Sequence, residues 1–455
     1  MQIIIAGLGK AGMCLVGALA QEGHDITVVD TKPDQVQRAT AQYDVMGISG
    51  NCADPDTLTE LEVDQADMFI AVTTNDEVNL LSCLLAKRAG CSKTIARVRN
   101  PEYSSSMDYL QNALGLEMII NPELLAAEEI ERVLSLPGAI DVDAFSAGRG
   151  EILKFRIIPG SVLDGMQVKQ ISRIVHADIM VCIAERGSQT FIPDGEFRFK
   201  GGDFVYIAGT RSEAERFFAS AGLRLNTVKN VMAIGAGKLS YYLIELLQKA
   251  GMQVTLIDQS LEACEKMTLM YPGAIVLQGD ATNQQFLLDE GLEEMDAFIS
   301  MTGVDEENIF LSLYAKRKAD LKTVTKVTHI ELDEMFTDFE LDTLINPKTL
   351  SAEYIIRHVR ALANSRGSQV KTVHKLAHDR VEALEFEIGP DSPVTGIKLM
   401  DLPIKSGVLV ALIERDGRLF LPRGIDIMRA GDAVVIVTDR PGFTDVSDIL
   451  ETRRR

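Results

Sequence analysis

The sequence predicts an α/β protein in which a parallel-sheet domain followed by a small β-rich α+β domain occurs twice in tandem along 455 residues. Three observations predict this. Ile3–Asp30 and Val231–Asp258 share one pattern of strand, Gly-rich turn, helix and strand, with Gly7 matching Gly235 and Asp30 matching Asp258 at a common offset of 228 (235 − 7, 258 − 30). In each half, short apolar runs alternate with helix-length amphipathic segments, as parallel strands joined by right-handed crossovers require. The stretches behind these units also match: Phe155…Pro159…Gly165 answers Phe386…Pro390…Gly396 at 231 (386 − 155), and Gly202-Asp203 answers Gly431-Asp432 at 229 (431 − 202). The predicted boundaries are 1–123 and 230–350 for two Rossmann-type domains, and 144–228 and 370–453 for their β-rich partners.

Taken in order, Ile3–Ala6 reads as the first strand, and the helix behind it sets Met13, Val16, Leu19 and Ala20 on one face. Asp25–Asp30, Val45–Ile48, Met68–Thr73 and Thr94–Arg97 read as further strands. Asn75–Ala89 has helical spacing, with Val78, Leu81, Leu84 and Leu85 as an apolar stripe. At Asn121-Pro122-Glu123, Asn suits a helix N-cap, Pro the first helical position and Glu the positive helix end. Glu123–Leu134 then offers Leu124, Leu125, Ile130, Val133 and Leu134 as an apolar surface, and Asn346-Pro347 repeats the start at 225 (346 − 121). Strands are expected at Ile152–Ile158, Ile179–Glu185 and Phe204–Ala208, and again at Ala383–Ile388, Val408–Glu414 and Ala433–Val437. Linkers are expected near Pro137–Arg149, Leu223–Lys229 and Asn364–Lys371, where polar residues and Gly accumulate.

The Gly turns carry the chemistry. Gly7-Leu8-Gly9-Lys10-Ala11-Gly12 is a complete GxGxxG: the first Gly permits the tight turn, the second lets backbone approach a pyrophosphate, and the third packs helix on sheet. The helix N-terminus behind it offers amides and partial positive charge to phosphates. Asp30, at the end of the next strand, stands where an acid accepts hydrogen bonds from ribose hydroxyls, so NAD is preferred to NADP despite the nearby Lys32. The second turn, Gly235-Ala236-Gly237-Lys238-Leu239-Ser240, keeps the first two glycines and Asp258 but has Ser in place of the third Gly. Its ligand is NAD or a simpler adenine nucleotide such as ATP or ADP. Asn51 and Cys52 align with Asp280 and Ala281 on the adenine side. Thr73 and Thr74 align with Thr302 and Gly303, and Arg97 with Lys326, all at strand C-termini where open α/β sheets bind ligands. For the acids of Asp76-Glu77 and Asp305-Glu306, helix N-terminal capping is an equal reading.

Composition narrows the function classes. A net charge of −20 argues against a nucleic-acid face and against adsorption to anionic membrane. The N-terminus lacks a basic leader, and no apolar stretch approaches the roughly 20 residues that span a bilayer. The six cysteines form no CxxC pair, which suits buried thiols in a reducing cytosol. A dehydrogenase would need a substrate domain with an acid–base group beside the nicotinamide. Only 85 residues (228 − 144 + 1) are available in the first partner, with no convergent catalytic set. His374 and His378 have i, i+4 spacing, but nothing completes a metal site and a solvated helix face is expected.

The repeated GLGKAG and GAGKLS turns, the terminal Asp, TTNDEVN and TGVDEEN, the INP tripeptides and the β-rich partners together resemble tandem regulator-of-potassium-conductance domains, and in particular the peripheral NAD-binding subunits of bacterial Trk potassium-uptake systems. The resemblance covers essentially the whole chain. It implies a non-enzymatic, cytoplasmic homo-oligomer at the inner face of the membrane that binds a potassium-translocating membrane protein and gates it. It also implies a first site of Gly7–Gly12, Asp30, Asn51, Cys52, Thr73, Thr74 and Arg97, and a second of Gly235–Leu239, Asp258, Asp280, Ala281, Thr302 and Lys326. The alternatives are an NAD-dependent oxidoreductase and a soluble nucleotide or redox sensor with a non-membrane partner.

Overall fold

The structure, a computed structural model, describes residues 1–136, 140–145, 149–175, 177–187, 189–222, 228–328, 341–363, 370–377, 380–440 and 442–451. Its first domain runs β1 (Gln2–Ala6), α1 (Lys10–Gln21), β2 (Asp25–Asp30), α2 (Pro33–Gln42), β3 (Met46–Ser49), α3 (Pro55–Glu60), β4 (Met68–Ala71), α4 (Asp76–Ala89), β5 (Lys93–Arg97), α5 (Met107–Leu114), β6 (Met118–Ile120) and α6 (Pro122–Ser135). The strands form one parallel sheet in the order β3-β2-β1-β4-β5-β6. Buried strands explain the runs Ile3-Ile4-Ile5 and Phe69-Ile70-Ala71, since a sheet covered by helices on both faces needs apolar residues at consecutive positions.

The first β-rich domain contains β7 (Asp141–Phe145), β8 (Gly150–Arg156), α7 (Val168–Ile174), β9 (Met180–Arg186), β10 (Gln189–Phe191), β11 (Phe204–Gly209) and α8 (Arg211–Ser220). The second parallel-sheet domain follows as β12 (Asn230–Ile234), α9 (Lys238–Lys249), β13 (Gln253–Asp258), α10 (Leu261–Met270), β14 (Ile275–Gln278), α11 (Gln284–Asp289), β15 (Ala297–Ser300), α12 (Asp305–Lys318), β16 (Lys322–Lys326), β17 (Thr343–Ile345) and α13 (Pro347–Ala363). Its sheet order, β14-β13-β12-β15-β16-β17, reproduces the first. The chain ends with β18 (Val370–Leu376), β19 (Val381–Glu387), β20 (Val408–Arg415), β21 (Arg418–Phe420) and β22 (Ala433–Thr438). The two antiparallel sheets are ordered β10-β9-β11-β8-β7 and β18-β19-β22-β20-β21.

Like domains pair with like. One compact unit holds Met1–Glu131 and Val228–Ile356, the other Arg132–Thr227 and Arg357–Arg455. In the first unit the side-chain amide of Asn121 donates to the Tyr242 hydroxyl across the two parallel-sheet domains at 2.8 Å. In the second, Ile152, Cys182, Ile183 and Tyr206 share one core with Ala383, Leu412, Val435 and Val437, and Arg149 pairs with Glu414. No described helix is long and apolar enough to cross a membrane.

The structure differs from the sequence expectation in several places. Among the described residues each β-rich domain has five strands where three are expected. The hairpin of β20 and β21 turns on Asp416-Gly417, both at positive φ, an Asp-Gly signal that forecasts such a turn. The segment expected as a linker near Pro137–Arg149 contains β7, which pairs with β8; the expected linker residues 223–227 and 364–369 lie outside the described residues. On α4 the buried face is Asp76, Asn79, Ser82, Cys83 and Ala86, while Leu81 is exposed. The helix lies close on the sheet, so small residues face it. Cys14 is exposed, whereas the other five cysteines are buried free thiols.

Candidate functional site

Both Gly turns form at the C-terminal edge of their sheets. Gly7 takes φ +95°, and a Cβ there would meet the Thr73 backbone nitrogen at 2.7 Å, so both torsion and space demand glycine. A Cβ on Gly12 would lie 1.9 Å from the Gly7 carbonyl oxygen, the packing expected of a third Gly. Gly9 and Gly237 are different: each is the N-cap of its helix with no side-chain cap, and a Cβ would meet nothing within 4 Å. This leaves open space against the N-terminal end of each helix, where an approaching phosphate meets partial positive charge. In the second turn Ser240 is fully buried and its hydroxyl donates to the Gly235 carbonyl oxygen. The added side chain is thus satisfied locally and the turn keeps its course.

The terminal acids sit beside these turns. Asp30 accepts from the Leu8 amide at 2.7 Å and from the Lys32 amide at 2.9 Å; Asp258 accepts from Ala236 at 2.6 Å and Ser260 at 2.7 Å. Each carboxylate therefore braces its turn. Leu8, Ala11 and Leu239 are buried and offer only backbone there, whereas Lys10 and Lys238 are exposed at the first position of α1 and α9.

At the ends of the fourth and fifth strands an asparagine missed in the sequence reading organises each site. Asn79, fully buried, accepts from the Thr73 amide and hydroxyl at 2.9 and 2.7 Å and donates to the Thr73 and Arg97 carbonyls at 3.2 and 2.9 Å. Asn308 repeats this with Thr302 and Lys326 at 2.8, 3.3 and 3.0 Å. Its signal was visible in TTNDEVN and TGVDEEN, whose final residue it is. Arg97 is buried, donates through Nη2 to the Thr73 carbonyl, and leaves Nε without a hydrogen-bond partner. Burial, and then Arg99, holds its pKa below the ordinary arginine value. Lys326 reaches the Met301 carbonyl at 2.9 Å, and burial lowers its pKa. Asp76 does more than favour a helix start: it accepts from the Arg99 and Asn100 amides at 2.9 and 2.8 Å, pinning the loop after β5, and Asp305 holds the Thr328 amide likewise at 2.9 Å. Thr74 is exposed beside Asn75, the N-cap of α4.

On the predicted adenine side the sites diverge. Asn51 is exposed and caps its own turn at the Ala53 amide, 3.0 Å away; Cys52 is buried in the core, where burial raises its thiol pKa. Asp280 is exposed and accepts from the Thr282 amide and hydroxyl, while Ala281 is buried like Cys52. Burial, with Asp280 and Asp258 nearby, raises the Glu307 carboxyl above its usual range. The second crevice is thus the more acidic on this side. Near the junction with the other parallel-sheet domain, burial pushes the Tyr242 hydroxyl up to about 12.

The histidine pair does not form a helical face. His374 lies on β18 opposite Ala383, with Nδ1 2.6 Å from Asp143 and Nε2 3.2 Å from Arg357; His378 lies outside the described residues. Among the described residues no group of His, Cys, Asp and Glu could hold a metal ion.

Residues 3–122 and 231–347 match the TrkA-N domain family, and residues 152–222 and 383–451 the TrkA-C domain family. The chain is 30% identical over 450 residues to the Trk system potassium uptake protein TrkA homolog of Archaeoglobus fulgidus, covering 99% of this chain and 100% of that one. It is 29% identical to the Trk system potassium uptake protein TrkA of Halomonas elongata, covering 99% of each. Among solved structures it is similar to the GsuK RCK domain, with a TM-score of 0.61 at 18% identity over 96% of this chain and 92% of that one. The GsuK channel bound to NAD gives 0.61 at 18% over 96% and 76%, and GsuK bound to ADP 0.50 at 16% over 79% and 69%.

Proposed function

We propose, since this chain belongs to the TrkA family of Trk-system potassium-uptake proteins, that it is a nucleotide-sensing regulatory subunit that gates a potassium-translocating membrane protein. The family is one of potassium uptake and not of enzymes. The observation that carries the reading is the pair of glycine turns with open space over Gly9 and Gly237 and a carboxylate braced beside each. That arrangement fits an adenine nucleotide: ribose hydroxyls at Asp30 or Asp258, phosphates at the turn and helix amides, and the far end over Thr73, Thr74 and Arg97, or Thr302 and Lys326. Asn51 and Asp280 would flank the adenine, with Cys52 and Ala281 beneath it. NAD(H) is the ligand proposed, with ATP or ADP at one site; NAD and ADP are the ligands named for the GsuK structures of this fold.

In this role the nucleotide supplies charge and shape and undergoes no reaction. Its binding is coupled to the arrangement of the domains, and the coupling equals the difference in its affinity for two arrangements. The chain would act as a homo-oligomer held at the inner face of the membrane by its partner. Calorimetric titration of the full-length protein with NAD, NADH, ATP and ADP tests the first step, and absence of heat with all four ends the proposal. Pull-down from solubilised membranes, with and without NADH, tests the second: an integral potassium transporter is expected, and its consistent absence points to a non-membrane partner.

A further inference from the structure

Where equivalent positions of a duplicated domain meet, like residues face like unless the repeats have diverged. β7 and β18 are edge strands of the two β-rich sheets, each paired with the equivalent neighbour, β8 and β19. Asp143 lies opposite Ile152 and His374 opposite Ala383, so both occupy one position of the repeat (374 − 143 = 231, 383 − 152 = 231). These two equivalent residues meet, with His374 Nδ1 2.6 Å from Asp143 Oδ1. Two aspartates or two histidines would repel there when charged. Divergence has set an acid against a base.

His374 is buried, with the Phe145 ring 4.4 Å from its own between centroids. Its other nitrogen, Nε2, is 3.2 Å from Nη1 of Arg357. Arginine donates and never accepts, so this contact is a hydrogen bond only while Nε2 keeps its lone pair. The ring proton then sits on Nδ1 and is donated to Asp143. A second proton acts oppositely at the two ends. It turns the Asp143 contact into an ion pair, and it sets an N–H on Nε2 against the guanidinium, where two donors of like charge share no bond. Further charges line the same faces. Glu385, two residues beyond Ala383 on β19, is buried, and Lys154, two beyond Ile152 on β8, is 3.1 Å from Glu185. Lys375 and Glu382 are paired in register and fall on the opposite face by strand alternation. On α13, Glu353 and Arg360 stand one turn to either side of Arg357.

The place of Arg357 gives the contact its consequence. α13 (Pro347–Ala363) starts in the unit of parallel-sheet domains, and from Arg357 onward it belongs to the unit of β-rich domains. His374 thus holds the helix at the first residue of that second part.

We infer that Asp143, His374 and Arg357 form a pH-sensitive latch: neutral His374 binds α13 to β18, and protonation exchanges that bond for an ion pair with Asp143 and frees the end of the helix. Imidazole is the side chain that ordinarily changes charge between about pH 5 and 8, whereas carboxylates and guanidinium do not.

Hydrogen exchange of the full-length protein, read by mass spectrometry across that pH range and corrected for the intrinsic pH dependence of exchange, tests this at the amides of residues 357–363. In the unaltered protein they are expected to exchange roughly tenfold faster at the acid end. His374→Gln offers Arg357 an amide oxygen that no proton displaces, so the pH difference is expected to vanish. Asp143→Asn keeps the histidine but removes the charge that favours its protonated form, and the midpoint of the change is expected to move to lower pH. A role in packing alone would not move that midpoint. Equal protection at both ends of the range in the unaltered protein overturns the inference. So does a pH difference that survives His374→Gln, or a midpoint unmoved in Asp143→Asn.

Discussion

At the scale of single residues, the third turn position separates two solutions to one packing problem. Gly12 leaves no room for a Cβ against the Gly7 carbonyl, whereas Ser240 is accommodated and bonds the equivalent carbonyl. Exchange should therefore be asymmetric. Gly12→Ser is expected to cost about 2–3 kcal/mol through overpacking, and Ser240→Gly about 1 kcal/mol through one lost hydrogen bond and added chain entropy. Thermal unfolding of the two variants checks this, and equal costs would mean that the first turn can relax as the second has. The ionic locks of the β-rich domains belong here too. Arg186 forks Asp203 at 2.8 and 2.7 Å and Arg415 forks Asp432 at the same distances, with both carboxylates buried. Asp203→Ala leaves Arg186 facing a void and is expected to cost about 3 kcal/mol in denaturant unfolding.

At the scale of elements, α4 and α12 are the joints between sheet and site. Asn79 satisfies four backbone or side-chain groups from within α4. Asn79→Ala strands them in a buried place and is expected to cost about 2–4 kcal/mol, with faster amide exchange through the loop after β4 as the local readout. Helix α12 offers a pH test. Glu307, in its first turn, would ordinarily profit from the helix dipole, yet burial and the neighbouring Asp280 and Asp258 outweigh this and raise its carboxyl. A carboxyl raised in the fold costs stability when ionised. Glu307→Gln should therefore melt higher than the unaltered protein at pH 7, with the gain vanishing below the ordinary value of 4.5, where both side chains are neutral. An unchanged difference between pH 7 and pH 4 would assign the effect to packing. The sequence marked α4 correctly as a helix but assigned its apolar stripe to Leu81, because periodicity cannot tell that the sheet-facing side must be small.

At the scale of the whole molecule, the duplicated chain assembles by exchange: the parallel-sheet domains of both repeats form one unit and the β-rich domains the other. The shared β core means that the first repeat alone exposes Ile152, Ile183 and Tyr206. A fragment of residues 1–228 is expected to dimerise or aggregate, and a stable monomer in light scattering would show that the shared core is dispensable. The sequence by itself determined the tandem architecture, the two Gly turns with their acids, and the Asn-Pro helix starts, where Asn121 and Asn346 do cap α6 and α13. These features are local: a positive φ, a cap or a strand period is satisfied by few residue types and so leaves a readable pattern. Only the tertiary structure decided that Asn79 and Asp76 tie the strand ends and the loop after β5, that Cys52 turns into the core, and that Asn121 of the first repeat reaches Tyr242 of the second. Those outcomes depend on how segments distant along the chain pack together, and no period or spacing encodes which groups will then be neighbours.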